Sequence, residues 1–254
     1  MNDAPQRGPT AVAAIWERAR SGDLRGGAEA ARDALAQSEP PLSPASRVEL
    51  HLVAAFCAMR QGQHAEALRD LAAADQEATH TAADGRLPLR IDTWRAELAY
   101  FQGRYSGADD IVVRLVDPLE ELGDWAYAAF ALRIRIAILL AHTDYAGVAS
   151  LAARAIRLAE ASGDDYVMVQ ILNVLGAVAF DRATSKLDGA HARAHLSALD
   201  PHDTAPMEAD AREALALFER ARAVAERAHY EFAAWYVAGN IERLEILLGH
   251  ADRA

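Results

Sequence analysis

The segments RQGQHAEALRDLAAA (60–74) and YFQGRYSGADDIVVRL (100–115) show the same pattern one after the other. In both, a glycine within a short polar stretch precedes an alanine-rich run of helix-forming residues. Fainter copies are RSGDLRGGAEAARDAL (20–35) and AHTDYAGVASLAARAI (141–156). The pattern predicts a tight turn followed by a helix, repeated along the chain.

The spacing of the predicted turns is almost constant. The turn positions are Gly22, Gly62, Gly103 and Thr143, which gives a period of about forty residues. One further step predicts a turn at Ala183. The last predicted turn is Gly249, and its distance from Ala183 exceeds one period, which indicates an insertion between the two. One period holds two helices of about 15 residues and two short turns. Such a hairpin cannot bury its apolar face alone, so neighbouring hairpins are expected to stack.

The composition supports an all-α fold. Alanine accounts for 59 of the 254 residues, and it is the residue that favours helix most. Glycine (15) and proline (9) are few for this length, which excludes a β-sandwich or barrel with its frequent turns. Charged residues make up an average 25% of the chain, which argues against disorder.

The charge and the lack of targeting signals narrow the function classes. A net charge of −11 with no basic stripe argues against a nucleic-acid partner. The single cysteine, Cys57, excludes an internal disulfide, and its apolar surroundings favour a buried, unreactive thiol. No apolar run approaches the length that a membrane-spanning helix needs, and the N-terminus lacks the apolar core of a signal peptide. We therefore expect a cytoplasmic protein without a membrane span.

The repeats resemble the tetratricopeptide repeat (TPR) family, in the long-repeat variety found in bacterial regulators and kinesin light chains. The residues that carry the resemblance are Gly62, His64, Ala67, Leu71, Ala74, Gly103, Tyr105, Ala108, Tyr145, Leu172, Leu175, Gly176 and Ala221. The resemblance implies a right-handed α-solenoid of about six helical hairpins over residues 10–254. Residues 1–9 are expected to be a disordered tail.

Residues 184–209 interrupt the period as an insertion in the fifth hairpin. We expect a solvated loop with a short helix; a docking loop for a partner is an alternative. His191 and His195, at positions i and i+4, are weak candidates for metal ligands if the segment is helical. No HExxH motif accompanies them, so we expect no metal and no cofactor.

No catalytic motif is present in the sequence. GxSxG, CxxC and HExxH are absent, and no glycine-rich phosphate loop follows a strand candidate. The acidic pairs at 109–110 and 164–165 lie where a helix begins, which is typical of capping and of compensation for the helix dipole. In the turns ELGDW (121–125) and ASGDDY (161–166), the aspartate after the glycine is predicted to cap the next helix. The sequence therefore predicts a protein without enzymatic activity.

The resemblance implies that the first helices of the hairpins line a concave groove. Aromatic residues and arginines are enriched at these positions, as they are at binding hot spots. The predicted groove residues are Trp16, Arg20, Glu49, Phe56, Met59, Arg60, Arg90, Glu97, Tyr100, Phe101, Arg133, Asn173, Phe180, Tyr236, Asn240 and Arg243. Asn173 and Asn240 could each hold a peptide backbone amide. Aromatic residues at helical spacing also fill the core between repeats, and both interpretations stay open at this point.

Three functions fit these features. The first is a regulatory module that binds a protein or peptide in the groove and governs a C-terminal output domain. The chain stops at HADRA, within what the phase predicts to be a second helix, so we expect a last hairpin that is cut short. The arrangement resembles the sensory regions of bacterial diguanylate cyclases, which carry a GGDEF catalytic domain downstream and act in signal transduction. The alternatives are a sensor of a small apolar or acyl ligand, and a homodimerisation scaffold.

Overall fold

The computed structural model describes residues 7–36, 41–80, 85–194 and 205–247, and all regular structure in these ranges is α-helical. The predicted all-α class is therefore confirmed. In chain order the helices are α1 (Arg7–Arg20), α2 (Leu24–Ala36), α3 (Pro44–Arg60), α4 (His64–Ala78), α5 (Arg86–Phe101), α6 (Tyr105–Glu121), α7 (Trp125–Ala141), α8 (Tyr145–Ser162), α9 (Asp165–Ala194), α10 (Ala205–Arg227) and α11 (Glu231–Leu247). Numbering the helices in pairs along the chain, we call α1, α3, α5, α7, α9 and α11 first helices.

The predicted turns are found between the two helices of each of the first four hairpins. Gly22, Gly62, Gly103 and Thr143 have φ angles of 111°, 73°, 71° and 56°. A positive φ closes the last turn of a helix and is adopted most easily by glycine. Thr143 takes this conformation although it carries a β-branched side chain. Its repeat has no glycine at the turn position, and this makes the sequence signal of the repeat fainter.

The predicted turn at Ala183 is wrong. Ala183 is buried inside α9, which continues to Ala194, and α10 begins only at Ala205. Residues 183–194 are mostly Ala, Leu, Lys and Arg, which favour helix, so the insertion begins by lengthening α9. The predicted turn at Gly249 lies outside the described residues. At the other end α1 already begins at Arg7, within the predicted tail.

The structure divides into two compact units. The first is Met1–Ile138, which holds α1 to α6 and most of α7, and the second is Leu139–Ala254, which holds the rest. In the first unit the central helix α3 is buried along most of its length, from Leu52 to Met59 without a break. A helix that is apolar on all sides needs neighbours on all sides, and α3 contacts α1, α2, α4 and α5.

The second unit is organised around the pairing of α9 with α10. Phe218 of α10, almost fully buried, lies against Gly176 of α9. A Cβ atom at Gly176 would be 2.6 Å from Cε1 of this ring, so the close approach requires glycine. Within α9, Asp165–Ser185 is long and apolar enough to cross a membrane by length and composition. This stretch is 61% buried in the protein, as expected for a core helix.

The predicted capping aspartates occupy different surroundings. The Asp164 carboxylate accepts hydrogen bonds from the backbone N–H groups of Tyr166 and Val167 at 2.9 and 3.1 Å, which confirms it as the cap of α9. Asp124, before α7, is buried and accepts a hydrogen bond from the Arg90 guanidinium. This aspartate therefore belongs to the side-chain network described next.

Candidate functional site: an aromatic ladder and its arginine edge

Four aromatic rings connect the first helices of the first unit. We call Trp16, Phe56, Trp94 and Phe130 the aromatic ladder; they lie on α1, α3, α5 and α7. Neighbouring ring centroids are 4.9 to 5.8 Å apart, and Trp16 stacks on Trp94 with an interplanar angle of 18°. All four rings are buried, so the ladder is a packing element that holds the first helices together.

A buried ion pair lies between α5 and α7. The Arg133 guanidinium donates two hydrogen bonds to the Glu97 carboxylate, at 2.7 and 2.8 Å. Glu97 is 1% exposed and Arg133 is 7% exposed. The Arg133 guanidinium also lies 5.4 Å from the ring centroid of Phe130, which joins this pair to the aromatic ladder. Two-point pairing of this kind fixes the orientation of both side chains.

A second network surrounds Arg90. Its guanidinium donates to Glu49 at 2.7 Å and to Asp124 at 2.6 Å, and it lies 4.8 Å from the ring centroid of Tyr127. Burial opposes the charge on Arg90, yet Tyr127 and the two carboxylates together raise the pKa of this arginine above its usual range. Burial, reinforced by the negative charge of Glu49, also raises the pKa of the Tyr127 phenol. Arg90 therefore stays charged and Tyr127 stays protonated at neutral pH.

The ladder is hydrogen-bonded to this network at two points. The indole N–H of Trp16 donates to the Glu49 carboxylate at 3.1 Å. The indole N–H of Trp94 donates to the Tyr127 hydroxyl at 3.2 Å. The polar atoms of both tryptophans thus have partners inside the protein, as buried indole groups require.

A more accessible group lies at the C-terminal ends of α1, α3 and α5. We call Arg20, Arg60, Tyr100 and Phe101 the arginine edge. Arg20 lies over the Trp16 ring at 5.3 Å, and Arg60 lies between Phe56 and Phe101 at 5.5 and 5.4 Å. Tyr100 and Phe101 have ring centroids 5.8 Å apart. Phe101 is exposed and the other three are half-buried, so cationic and aromatic groups reach the surface together here.

The predicted groove residues differ in their accessibility. Those that the structure buries are Trp16, Phe56, Met59, Glu97 and Arg133. Those that are half-buried are Arg20, Glu49, Arg60, Arg90, Tyr100, Asn173, Phe180 and Asn240, and those that are exposed are Phe101, Tyr236 and Arg243. α3 contacts the first helices α1 and α5 as well as α4, and α9 contacts α11 as well as α10, so large side chains on these helices are partly used for packing.

In the second unit, Asn173 and Asn240 contact each other. The Asn240 side-chain amide donates to the Asn173 side-chain oxygen at 3.0 Å, which connects α9 to α11. On α9, the Asp181 carboxylate accepts a hydrogen bond from the Tyr145 hydroxyl at 2.6 Å. The remaining donor and acceptor positions of the asparagine pair are those that a peptide backbone could use.

The candidate metal ligands His191 and His195 lie outside the described side chains. Among the described side chains, no group of three or more His, Cys, Asp or Glu residues could hold a metal ion. His191 lies in the part of α9 whose side chains the structure does not describe, and His195 lies outside the described residues.

Sequence reasoning missed Trp94 and Tyr127, and it predicted Asp124 as a helix cap but not as a partner of Arg90. A signal for Trp94 was available, because the four rings of the aromatic ladder recur at intervals of 40, 38 and 36 residues, which begin at the turn period and then shorten. No comparable signal marks Tyr127, whose role depends on the distance between α5 and α7. Asp124 is the N-cap position of α7, and its contact with Arg90 depends on how the hairpins stack.

The buried cysteine gives a direct test of the packing in the first unit. Burial raises the pKa of the Cys57 thiol to about 12, so the thiol is protonated at about pH 8. Because the thiolate is the reacting species, native protein is expected to react with Ellman's reagent on the order of a thousand times more slowly than urea-denatured protein. Equal rates in the two states would contradict the burial of Cys57.

Comparison with known proteins shows the fold. No family model matches the sequence, and no curated protein matches it either. Among solved structures, the chain is similar to a Rap protein crystallised in complex with Competence and Sporulation Factor, with a TM-score of 0.57 and 14% identity. The match covers 98% of this chain and 66% of the Rap chain, so this chain spans slightly less than two thirds of that protein.

Proposed function

We propose that the chain is a non-catalytic regulatory module of the cytoplasm that binds a peptide or an extended protein segment at the arginine edge. The observation that carries the proposal is the clustering of Arg20, Arg60, Tyr100 and Phe101 at one end of three successive first helices. The structurally similar Rap protein, solved with a bound factor, supports ligand binding as a use of this fold.

The aromatic ladder explains how the edge is held in place. Arg20 and Arg60 each lie over a buried ring of the ladder, and this contact restricts the positions that their side chains can take. A guanidinium that is already positioned loses less conformational entropy on binding. The edge is thus pre-organised to receive carboxylates or backbone carbonyls.

The chemistry of the edge defines the class of ligand. Guanidinium groups attract acidic side chains and a terminal carboxylate, while Tyr100 and Phe101 offer apolar surface for an aromatic or aliphatic side chain. A linear peptide that combines an acidic group with a large apolar residue fits both the guanidinium groups and the apolar surface. A basic peptide does not, because Arg20 and Arg60 would repel it.

The proposal is tested by selecting ligands for the full chain from a phage-displayed library of random linear peptides. We expect selected peptides to be enriched in acidic and large apolar residues. The double variant R60A/F101A should weaken their binding at least about tenfold, measured by fluorescence anisotropy of a labelled peptide. Phe56, by contrast, is buried, so F56A would test packing and not binding.

The matched control is L68A/R69A on α4. Leu68 and Arg69 are an exposed apolar residue and an exposed arginine on a second helix, away from the ladder. The control should bind the peptide as wild type does, and both double variants should keep the helical circular dichroism signal. Peptides that bind equally well to R60A/F101A and to wild type would overturn the proposal, as would a selection that recovers no binding peptide.

A further inference from the structure

The Glu49 carboxylate joins the aromatic ladder to the network around Arg90. One of its oxygens accepts the indole N–H of Trp16 at 3.1 Å, and the other accepts a hydrogen bond from the Arg90 guanidinium at 2.7 Å. The side chain of Glu49 is only 19% exposed, so little water competes for these two contacts. Three first helices, α1, α3 and α5, therefore meet at one carboxylate.

The hydrogen bond to Glu49 fixes an orientation of Trp16 that ring packing leaves open. Trp16 stacks on Trp94 with the centroids 5.8 Å apart, and its centroid lies 5.7 Å from that of Phe56. Contacts between rings hold over a range of offsets, so a stacked indole can slide or rotate in its own plane at small cost. A hydrogen bond is directional, and the bond to Glu49 therefore determines which edge of the indole faces α3.

The orientation of Trp16 in turn sets the position of Arg20. The Arg20 guanidinium lies 5.3 Å from the centroid of the Trp16 ring, and a cation is attracted to the face of an indole. The Glu17 carboxylate is also near, at 3.9 Å from Arg20. The side chain of Glu17 is 57% exposed, so water screens this second contact and the ring is the stronger guide.

Arg60 provides a comparison within the same arginine edge. It lies between Phe56 and Phe101, and neither ring has a polar atom that a hydrogen bond could hold. Glu49 precedes Arg60 by 11 residues on α3, which corresponds to about 16 Å along the helix. A change at Glu49 is therefore expected to reach Arg20 and to leave Arg60 unaffected.

We infer that Glu49 is a positioning residue of the peptide site, because it holds the Trp16 ring in the orientation that places the Arg20 guanidinium for binding. Its effect on binding rests on the proposed function of the arginine edge. The position of Arg20 can be measured without any ligand. Failure of the inference can therefore be told apart from failure of the proposed function.

The expected consequence of losing Glu49 is a lower affinity for the peptide. An arginine that is held in one position before binding loses less conformational freedom when the ligand arrives. Without the acceptor on α3, Arg20 becomes mobile, and the peptide should bind about three- to tenfold more weakly. The lost charge acts in the opposite direction, since removing a carboxylate near the arginines strengthens the attraction for an acidic peptide. A loss of affinity therefore cannot come from the charge.

The first test needs no ligand and uses E49L, in which Arg90 keeps the Asp124 carboxylate as a partner. In isotope-labelled protein, the indole N–H resonance of Trp16, identified by its disappearance in W16F, should move upfield when the carboxylate is lost. The Arg20 side-chain protons, which the ring current of Trp16 shifts upfield, should return toward the values of an unstructured arginine. Arg20 resonances that do not change would overturn the inference, whether or not a peptide binds.

The second test measures the fluorescence anisotropy of the labelled selected peptide in two double-mutant cycles. E49L should weaken binding about three- to tenfold in wild type and by the same factor in R60A. In R20A the same change should have at most about a twofold effect, because the arginine that Glu49 positions is gone. A general loss of structure would weaken binding equally in the two backgrounds, and this outcome would rule out a positioning role.

The control for the loss of charge is E29L on α2, which removes the exposed carboxylate that pairs with Arg25. It should leave the Arg20 resonances and the peptide affinity unchanged. If E49L loses the helical circular dichroism signal, E49Q takes its place, because it keeps the size of the side chain. Its amide offers one oxygen in place of two, and the charged Arg90 should keep it at the expense of Trp16. Equal losses of affinity for E49Q in R60A and in R20A would likewise contradict the inference.

Discussion

Replacing Glu97 by alanine is expected to lower the free energy of unfolding by about 3–5 kcal/mol, because the variant leaves the Arg133 charge buried without its carboxylate. The two side chains make a two-point contact inside the first unit, where water cannot replace the lost partner. Urea denaturation followed by circular dichroism measures the effect. The result decides whether the predicted groove residues Glu97 and Arg133 serve packing.

Two further variants make this expectation specific. The ion pair Arg25–Glu29 is exposed on α2, so E29A should leave the urea midpoint close to that of wild type. The double variant E97L/R133M replaces the buried pair with apolar residues and should stay within about 1 kcal/mol of wild type, because no buried charge remains. If E97A and E29A had equal effects, the buried ion pair would not exist as described.

Truncation of Phe218 to alanine should destabilise the second unit by about 3–5 kcal/mol. The ring is 1% exposed and fills the space between α9 and α10, where it touches Gly176. The cost combines the lost burial of the ring with the cavity that it leaves. The neighbouring exposed residue Glu219 provides the control, since E219A should be close to neutral.

A double-mutant cycle tests whether the ring of Phe218 and the backbone at Gly176 are in direct contact. G176A alone should cost about 1–3 kcal/mol, because its methyl group would meet the Phe218 ring at a distance of 2.6 Å. In the F218A background the same methyl group has room, so the cost should largely vanish. Strictly additive effects would contradict the close approach of α9 and α10.

The turns could be predicted from the sequence because each turn is a local event. Gly22, Gly62 and Gly103 carry a signal that needs no knowledge of the neighbouring hairpins, and Thr143 was found by the period alone. The same period failed at Ala183, where helix-forming residues continue past the expected position. A period predicts a turn only when the residues at that position also interrupt the helix.

The candidate site could be predicted only in part, because its residues depend on distances between hairpins. The family resemblance, counted back from each predicted turn, implied Arg20, Arg60, Tyr100 and Phe101 together with Trp16 and Phe56 as residues of the first helices. It could not separate the first four, which reach the surface, from the two buried rings beneath them. Exposure on a first helix depends on how closely the next helix approaches, and this distance is a tertiary property.

The exposed face of α11 illustrates the same limit. Tyr236 and Arg243 were predicted to line the groove, and the structure places both on the exposed side of that helix. The apolar residues of α11 occur on both of its sides, so the sequence pattern alone does not show which side packs.

Hydrogen–deuterium exchange of the full chain with and without a selected peptide tests whether the arginine edge binds a linear peptide. We predict that the peptide slows exchange in the C-terminal turns of α1, α3 and α5, where Arg20, Arg60, Tyr100 and Phe101 lie. The backbone of these turns becomes less accessible when a ligand covers it and restricts local opening. Slowed exchange confined to other helices, or no change at saturating peptide, would contradict peptide binding at the arginine edge.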